Sequence, residues 1–293
     1  MSVKRIIVIG DVMLDVVVRP TGPVSPTSDT AADVRTGRGG SGANMAVVLA
    51  GAGHHVVYAG AAGDDAAGRL CADDLTRAGV RAQLETVDAP TGVVVSLVGA
   101  DGQRSMFTDR GANRLLRESH VLQQLEEQFD HLHVSGYTVL DQATRATAVA
   151  ALHEARSRGC STSVDVCSVG PLVALTPEVF MTAIRGVAML FANEEEALTL
   201  SGTRDVDDAL DQLARNFDEV VVTRGGAGAL ARSGARRVAV QSQSVEVIDT
   251  TGAGDAATGT YLAARLQGRE LAEALNEAMA ASAAVVRGLG SRG

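Results

Sequence analysis

The chain has 293 residues, a formal net charge of −9, no Trp and only 3% aromatic residues. It offers neither the basic surface that a phosphate backbone requires nor aromatic platforms for stacking single strands, so nucleic acid is excluded as a partner. Lys4 is the only lysine, which removes a Walker A loop, a protein-kinase strand lysine and a Schiff-base amine.

Whatever handles phosphate here must therefore use backbone amides, Arg or a metal ion. Apolar residues make up 46% of the chain, enough for the core of one large α/β domain over 1–293. Cys71, Cys160 and Cys167 show no CxxC pairing or zinc spacing and read as thiols of a reducing compartment. The apolar run near the N-terminus is too short for a signal peptide, and no stretch is long enough for a membrane span. A cytoplasmic protein is expected.

In chain order, 5–10 (RIIVIG) reads as a buried strand. Two β segments, 15–19 and 33–36, then flank a Pro/Ser/Thr-rich loop. A helix follows over 41–52, with Ser41 as its N-cap and Gly53 as its stop. Residues 55–59 form a strand, and 64–78 a helix ending at Gly79. Two further β segments, 91–98 and 104–108, flank Ala100-Asp101-Gly102-Gln103, which has hairpin chemistry. Strands at 131–135, 163–166, 188–191 and 220–223 then alternate with helices at 141–158, 194–200 and 206–216. Ala-rich helices at 254–267 and 270–287 close the chain. This alternation predicts a mainly parallel sheet with helices on both faces. The four β segments without crossover helices, within about 12–38 and 90–110, predict a small separate sheet forming a lid. His131 and His133 share one side of a strand and read as packing residues rather than a metal pair. His54 and His55 follow a helix stop and are expected at the surface.

Residues 249–259 read DTTGAGDAATG and lead into a helix. Gly252 and Gly254 strip side chains from the place where that helix begins. The amides of Ala253, Gly254 and Asp255 can then approach an anion, and the helix dipole adds positive potential. Asp255 sets a carboxylate beside this anion hole. That pairing suits phosphoryl transfer to an alcohol: the amides hold the migrating group while the carboxylate faces the hydroxyl.

DTTGAGDAATG resembles the C-terminal signature of the ribokinase-like, or PfkB, family of carbohydrate kinases. The family's N-terminal signature resembles GGSGANMAVVLAGAG at 39–53. Between them GAAGDDAAG (60–68), SGY (135–137), NEEEA (193–197) and TRGGAGAL (223–230) follow the family's order. The resemblance implies a three-layer α/β/α domain with a small β-sheet lid and ATP-dependent phosphorylation of a sugar hydroxyl. It implies Asp255 as the base, with Gly252, Ala253 and Gly254 as the anion hole. Asp15, and more weakly Asp11, would hold the sugar with Gly39, Gly40 and Asn44. Asn193 and Glu196 match an N-x-x-E motif tied to magnesium and phosphate, and Asn193 also reads as a helix N-cap. Thr223, Gly226 and Gly228 match the loop lining the nucleotide. Asp249 and Thr251, with the turn at 287–291, match positions that ligate a monovalent cation, so potassium activation is expected.

Ribokinase itself has Lys where Ser41 stands and Asn where Met13 stands, which argues against ribose as the substrate. Arg38, Arg104 and Arg110 lie in or beside the lid, and Arg110 is the best candidate to pair with a substrate phosphate or carboxylate. A nucleoside kinase of the same fold and a non-catalytic sugar sensor are the alternatives. An oxidoreductase is disfavoured, because the G-x-G-x-x-G at 37–42 does not follow the first strand directly. The exposed β edges of the lid predict a homodimer.

Overall fold

The computed structural model describes residues 2–99, 104–243, 245 and 250–287. The predicted hairpin at 100–103 and the cation position Asp249 lie outside the described residues. The strands are β1 (Arg5–Ile9), β2 (Met13–Pro20), β3 (Ala32–Gly39), β4 (His55–Gly63), β5 (Arg81–Val87), β6 (Gly92–Val98), β7 (Arg104–Asp109), β8 (His131–Ser135), β9 (Ser161–Asp165), β10 (Met189–Asn193), β11 (Glu219–Thr223), β12 (Ala229–Ser233) and β13 (Arg236–Val240).

One nine-stranded sheet runs in the order β13-β12-β11-β10-β9-β8-β1-β4-β5. Its pairings from β5 to β11 are parallel, and β12 and β13 extend it antiparallel at one end. Alternation within the central strands sends side chains to opposite faces. Ile7 and Ile9 join one apolar cluster with Leu152, Phe180 and Leu210. Ile6 and Val8 join another with Leu49, Leu262 and Leu275. Two helical layers therefore cover one sheet, as a parallel sheet requires.

Sequence reading missed β5, β12 and β13. β5 and β13 are the edge strands, β12 lies next to β13, and all three carry charged residues. It also missed the short helices Glu118–Gln124, Val169–Leu175 and Pro177–Ala183. The single helix expected over 141–158 is instead Gly136–Leu140 followed by Arg145–Ser157. His131 and His133 pack as expected: both are buried, hydrogen-bonded to Ser161 and Ser163, and held neutral because burial drives each pKa down to about 3. His54 departs from expectation. It is buried, and its Nδ1 accepts from the Lys4 amide.

The second sheet has four strands in the order β3-β2-β6-β7. Its central pair is parallel and its edge pairs are antiparallel. The register puts Met13, Asp15, Val94, Ser96, Met106 and Thr108 on one face. Val16, Val18, Val34, Val95, Leu97 and Phe107 share the other. One set of strands thus carries a chemically mixed face and an apolar one.

The helix Ala253–Leu266 is anchored far from its N-terminus. Buried Glu219 accepts three hydrogen bonds from the Arg265 guanidinium, at 2.7, 3.0 and 3.2 Å, and one from the Tyr261 hydroxyl at 2.8 Å. No helix among the described residues is long and apolar enough to cross a membrane.

Candidate active site

The C-terminal ends of β1, β8, β9, β10 and β11 open onto a cavity of about 640 Å³, which the small sheet overhangs with Met13, Asp15, Val94 and Thr108. Parallel sheets place ligands at this end of their strands, and the volume suits a small-molecule site. Asp255 stands in its wall, on the first turn of Ala253–Leu266. Gly252 caps that helix at φ 77°, a left-handed conformation that favours Gly. The Ala253 amide turns back to the Thr250 carbonyl at 3.3 Å, so the first-turn donors of Gly254 and Asp255 are the better anion ligands.

Both Asp255 oxygens are held. Oδ1 accepts from the Ser41 hydroxyl and Oδ2 from the Asn44 amide, each at 2.8 Å. Burial raises the Asp255 pKa to about 6, opposed by these two hydrogen bonds. The helix terminus does not hold this carboxyl at a low pKa, because desolvation outweighs it.

Ser41 is the first helical residue rather than the cap of Ser41–Gly51; Gly40 is the N-cap. Asp11 serves that terminus from outside. Its carboxylate accepts from the amides of Ser41 and Gly42 at 3.3 and 3.4 Å and from the Ser135 hydroxyl at 3.1 Å. Asp11 lines the cavity, but its oxygens are committed to the helix end. Asp15 also lines the cavity. A Cβ on Gly39 would overlap its carboxylate, so the bare Gly39 makes room for it.

Asn193 and Glu196 form a reciprocal capping box: the Glu196 amide donates to Asn193 Oδ1 at 2.9 Å, and the Asn193 amide to Glu196 Oε2 at 2.8 Å. Both also line the cavity, so the cap itself forms part of the cavity wall. Beside them lies Asp165, at the end of β9, whose carboxyl sequence reading missed. It accepts from Thr258 Oγ1 at 3.3 Å. Burial and the neighbouring Glu196 and Asp255 raise its pKa well above the ordinary carboxylate range. Burial likewise raises Glu196.

A model of the pfkB family of carbohydrate kinases matches residues 3–293. The chain belongs to this family of kinases, which transfer a phosphoryl group to an alcohol acceptor. The kinase is 29% identical over 274 residues to an ATP-dependent ribose-1-phosphate kinase of Halopiger xanaduensis, covering 91% of this chain and 87% of that protein. It is 28% identical to a ribokinase of Bacillus subtilis, covering 99% and 95%. The adenosine kinase structure from Sinorhizobium meliloti superposes with a TM-score of 0.90 at 27% identity, covering 100% of this chain and 96% of that one.

In this pfkB kinase the remaining residues divide. Thr223 and Thr251 line the cavity. Gly226 and Gly228 do not. Gly226 has open space around it, and Gly228 packs against the Val240 carbonyl at φ +91°, which makes it a turn residue. Arg38 is buried and donates to Asn44 Oδ1 at 2.7 Å. The Arg104 side chain lies outside the described residues. Arg110 reaches the cavity with its guanidinium 4.8 Å from the Tyr137 ring centroid and 3.7 Å from Asp141, which Arg114 also approaches at 3.4 Å.

Among the described residues no group of three or more His, Cys, Asp or Glu forms a metal cage. The kinase's cavity is instead lined by three carboxyls, Asp165, Glu196 and Asp255, each with a pKa raised first by desolvation. A hydrated divalent ion arriving on phosphates needs no closed protein cage of its own.

Proposed function

We propose that this kinase transfers the γ-phosphoryl group of ATP to a hydroxyl of a sugar or sugar-like alcohol, with Asp255 as general base. Asp255 takes the proton of the acceptor hydroxyl as the acceptor oxygen bonds to the γ-phosphorus. The bond from that phosphorus to the bridging oxygen breaks in line, and ADP departs with the electron pair. The Gly254 and Asp255 amides, with the helix dipole behind them, receive the charge on the equatorial oxygens. Magnesium would neutralise phosphate charge, and Asn193 and Glu196 would hold it through water. Asp15 would hold the acceptor. Potassium is proposed at Asp249 and Thr251.

The observation that carries this reading is Asp255 itself: a carboxylate on a helix N-terminus, held at both oxygens and facing a cavity large enough for two substrates. Asp255→Asn is expected to lower kcat at least about 10²-fold while leaving the ATP-induced rise in Tm intact. Native turnover in that variant removes Asp255 from its role.

A second feature bears on the acceptor. Arg110 brings a guanidinium to the cavity wall beside Tyr137, its partner Asp141 is shared with Arg114, and its buried Nε has no hydrogen-bond partner among the described residues. We propose an acceptor bearing a phosphate or carboxylate, in keeping with the Halopiger relative's name. An ADP-release screen over ketoses, aldoses, nucleosides, sugar acids and sugar phosphates is expected to rank the anionic acceptors first. Arg110→Gln is expected to erase that ranking. A neutral sugar or nucleoside at the head of the ranking overturns this part alone.

We also propose a cytoplasmic homodimer through the small sheet. The support is its apolar face, on which Val34 and Phe107 are 57% and 62% exposed.

A further inference from the structure

We infer that Arg38 is a positioning residue for the base: it fixes the Asn44 amide and, through it, the Asp255 carboxylate. The inference rests on the reading of Asp255 as base. Arg38 lies near the end of β3 and is 5% exposed. Its Nη1 donates to Asn44 Oδ1 at 2.7 Å. A guanidinium has donors only, so the atom facing it must be the amide oxygen. Asn44 Nδ2 is thereby turned toward Asp255 Oδ2, to which it donates at 2.8 Å. Without Arg38 the amide is free to flip and present oxygen to a carboxylate, acceptor against acceptor.

Ser41 holds the other carboxylate oxygen at 2.8 Å. The plane of the carboxylate is then fixed at both ends, while each oxygen keeps a lone pair for an incoming hydroxyl. Charged and titratable groups reach Asp255 from three other elements. Arg38 on β3 lowers its proton affinity, Asp11 after β1 raises it, and Asp165 at the end of β9 shares its negative field. Loss of Arg38 therefore loosens the carboxylate and also favours its protonated form.

The test is a kinetic double-mutant cycle on the full chain, with Arg38→Met, Asn44→Ala and the pair, assayed from about pH 5 to about 9 with Tm recorded alongside. Arg38→Met is expected to lower kcat about 10- to 100-fold at unchanged KM for ATP, and to move the acid limb of the pH profile upward. The double variant is expected to be no worse than the poorer single, since Arg38 acts through Asn44. Additive losses overturn the inference, as does an acid limb in Arg38→Met that coincides with the native one. Should Arg38→Met not fold, Asn44→Ala decides: it keeps the cation and removes the link, so native-like kcat there overturns the relay. Asp255→Asn, run beside them, separates the two readings. If it is inactive while the cycle is additive, only the role of Arg38 falls; if it is fully active, both fall.

Discussion

Asp255 works only when ionised, and burial places its pKa at about 6. Below that value the base form is depleted about tenfold per pH unit, so kcat/KM for the acceptor is expected to rise with pH and level off above about 7. An acid limb near the ordinary aspartate value, about 3.9, would show that the desolvation is absent in solution. The carboxylate itself was legible in the sequence because Gly252, Gly254 and Asp255 fall within four residues of one another. Its partners were only half legible. Asn44 was singled out as a sugar ligand, but its amide goes to Asp255, and Ser41 reaches Asp255 across 214 residues of chain. No local pattern encodes such a contact. Asp165 did leave a signal: an acid ending an otherwise uncharged strand, at the end where parallel sheets meet their ligands. Gly226 and Gly228 lie outside the cavity lining, and turn geometry accounts for Gly228.

At the scale of elements, position in the sheet decided what could be read. β1, β4, β10 and β11 carry apolar runs and announced themselves; β5 and β13 are edge strands, β12 lies beside one of them, and their charged residues mask the pattern. The small sheet was legible from its two interruptions of the βα rhythm, and its four strands form as expected. The helix carrying the base owes its placement to a contact the sequence does not advertise, the Glu219–Arg265–Tyr261 cluster that ties it to β11. Glu219 is 3% exposed. Arg265→Met strands that buried carboxylate and is expected to cost about 3 kcal/mol of stability by denaturant unfolding. A cost under about 0.5 kcal/mol would mean that water or Tyr261 alone satisfies it.

For the whole molecule, the proposed dimer makes the most exposed claim. Val34, Val18 and Leu97 on one rung and Val16, Val95 and Phe107 on the next form an apolar patch, flanked by Ser105 and Thr36, on the face of the small sheet opposite the cavity. Sedimentation at micromolar concentration is expected to give twice the chain mass of 30.1 kDa, and Phe107→Asp to give a single chain. A native monomer rejects the interface. Asp15 and Val16 are neighbours on one strand yet point to opposite faces, Asp15 toward the cavity and Val16 toward the face proposed for the second subunit. Ordering the strand for either purpose orders it for both. In such a dimer dilution and substrate are linked variables: turnover per subunit is expected to climb with enzyme concentration, and to reach its plateau sooner when acceptor is saturating.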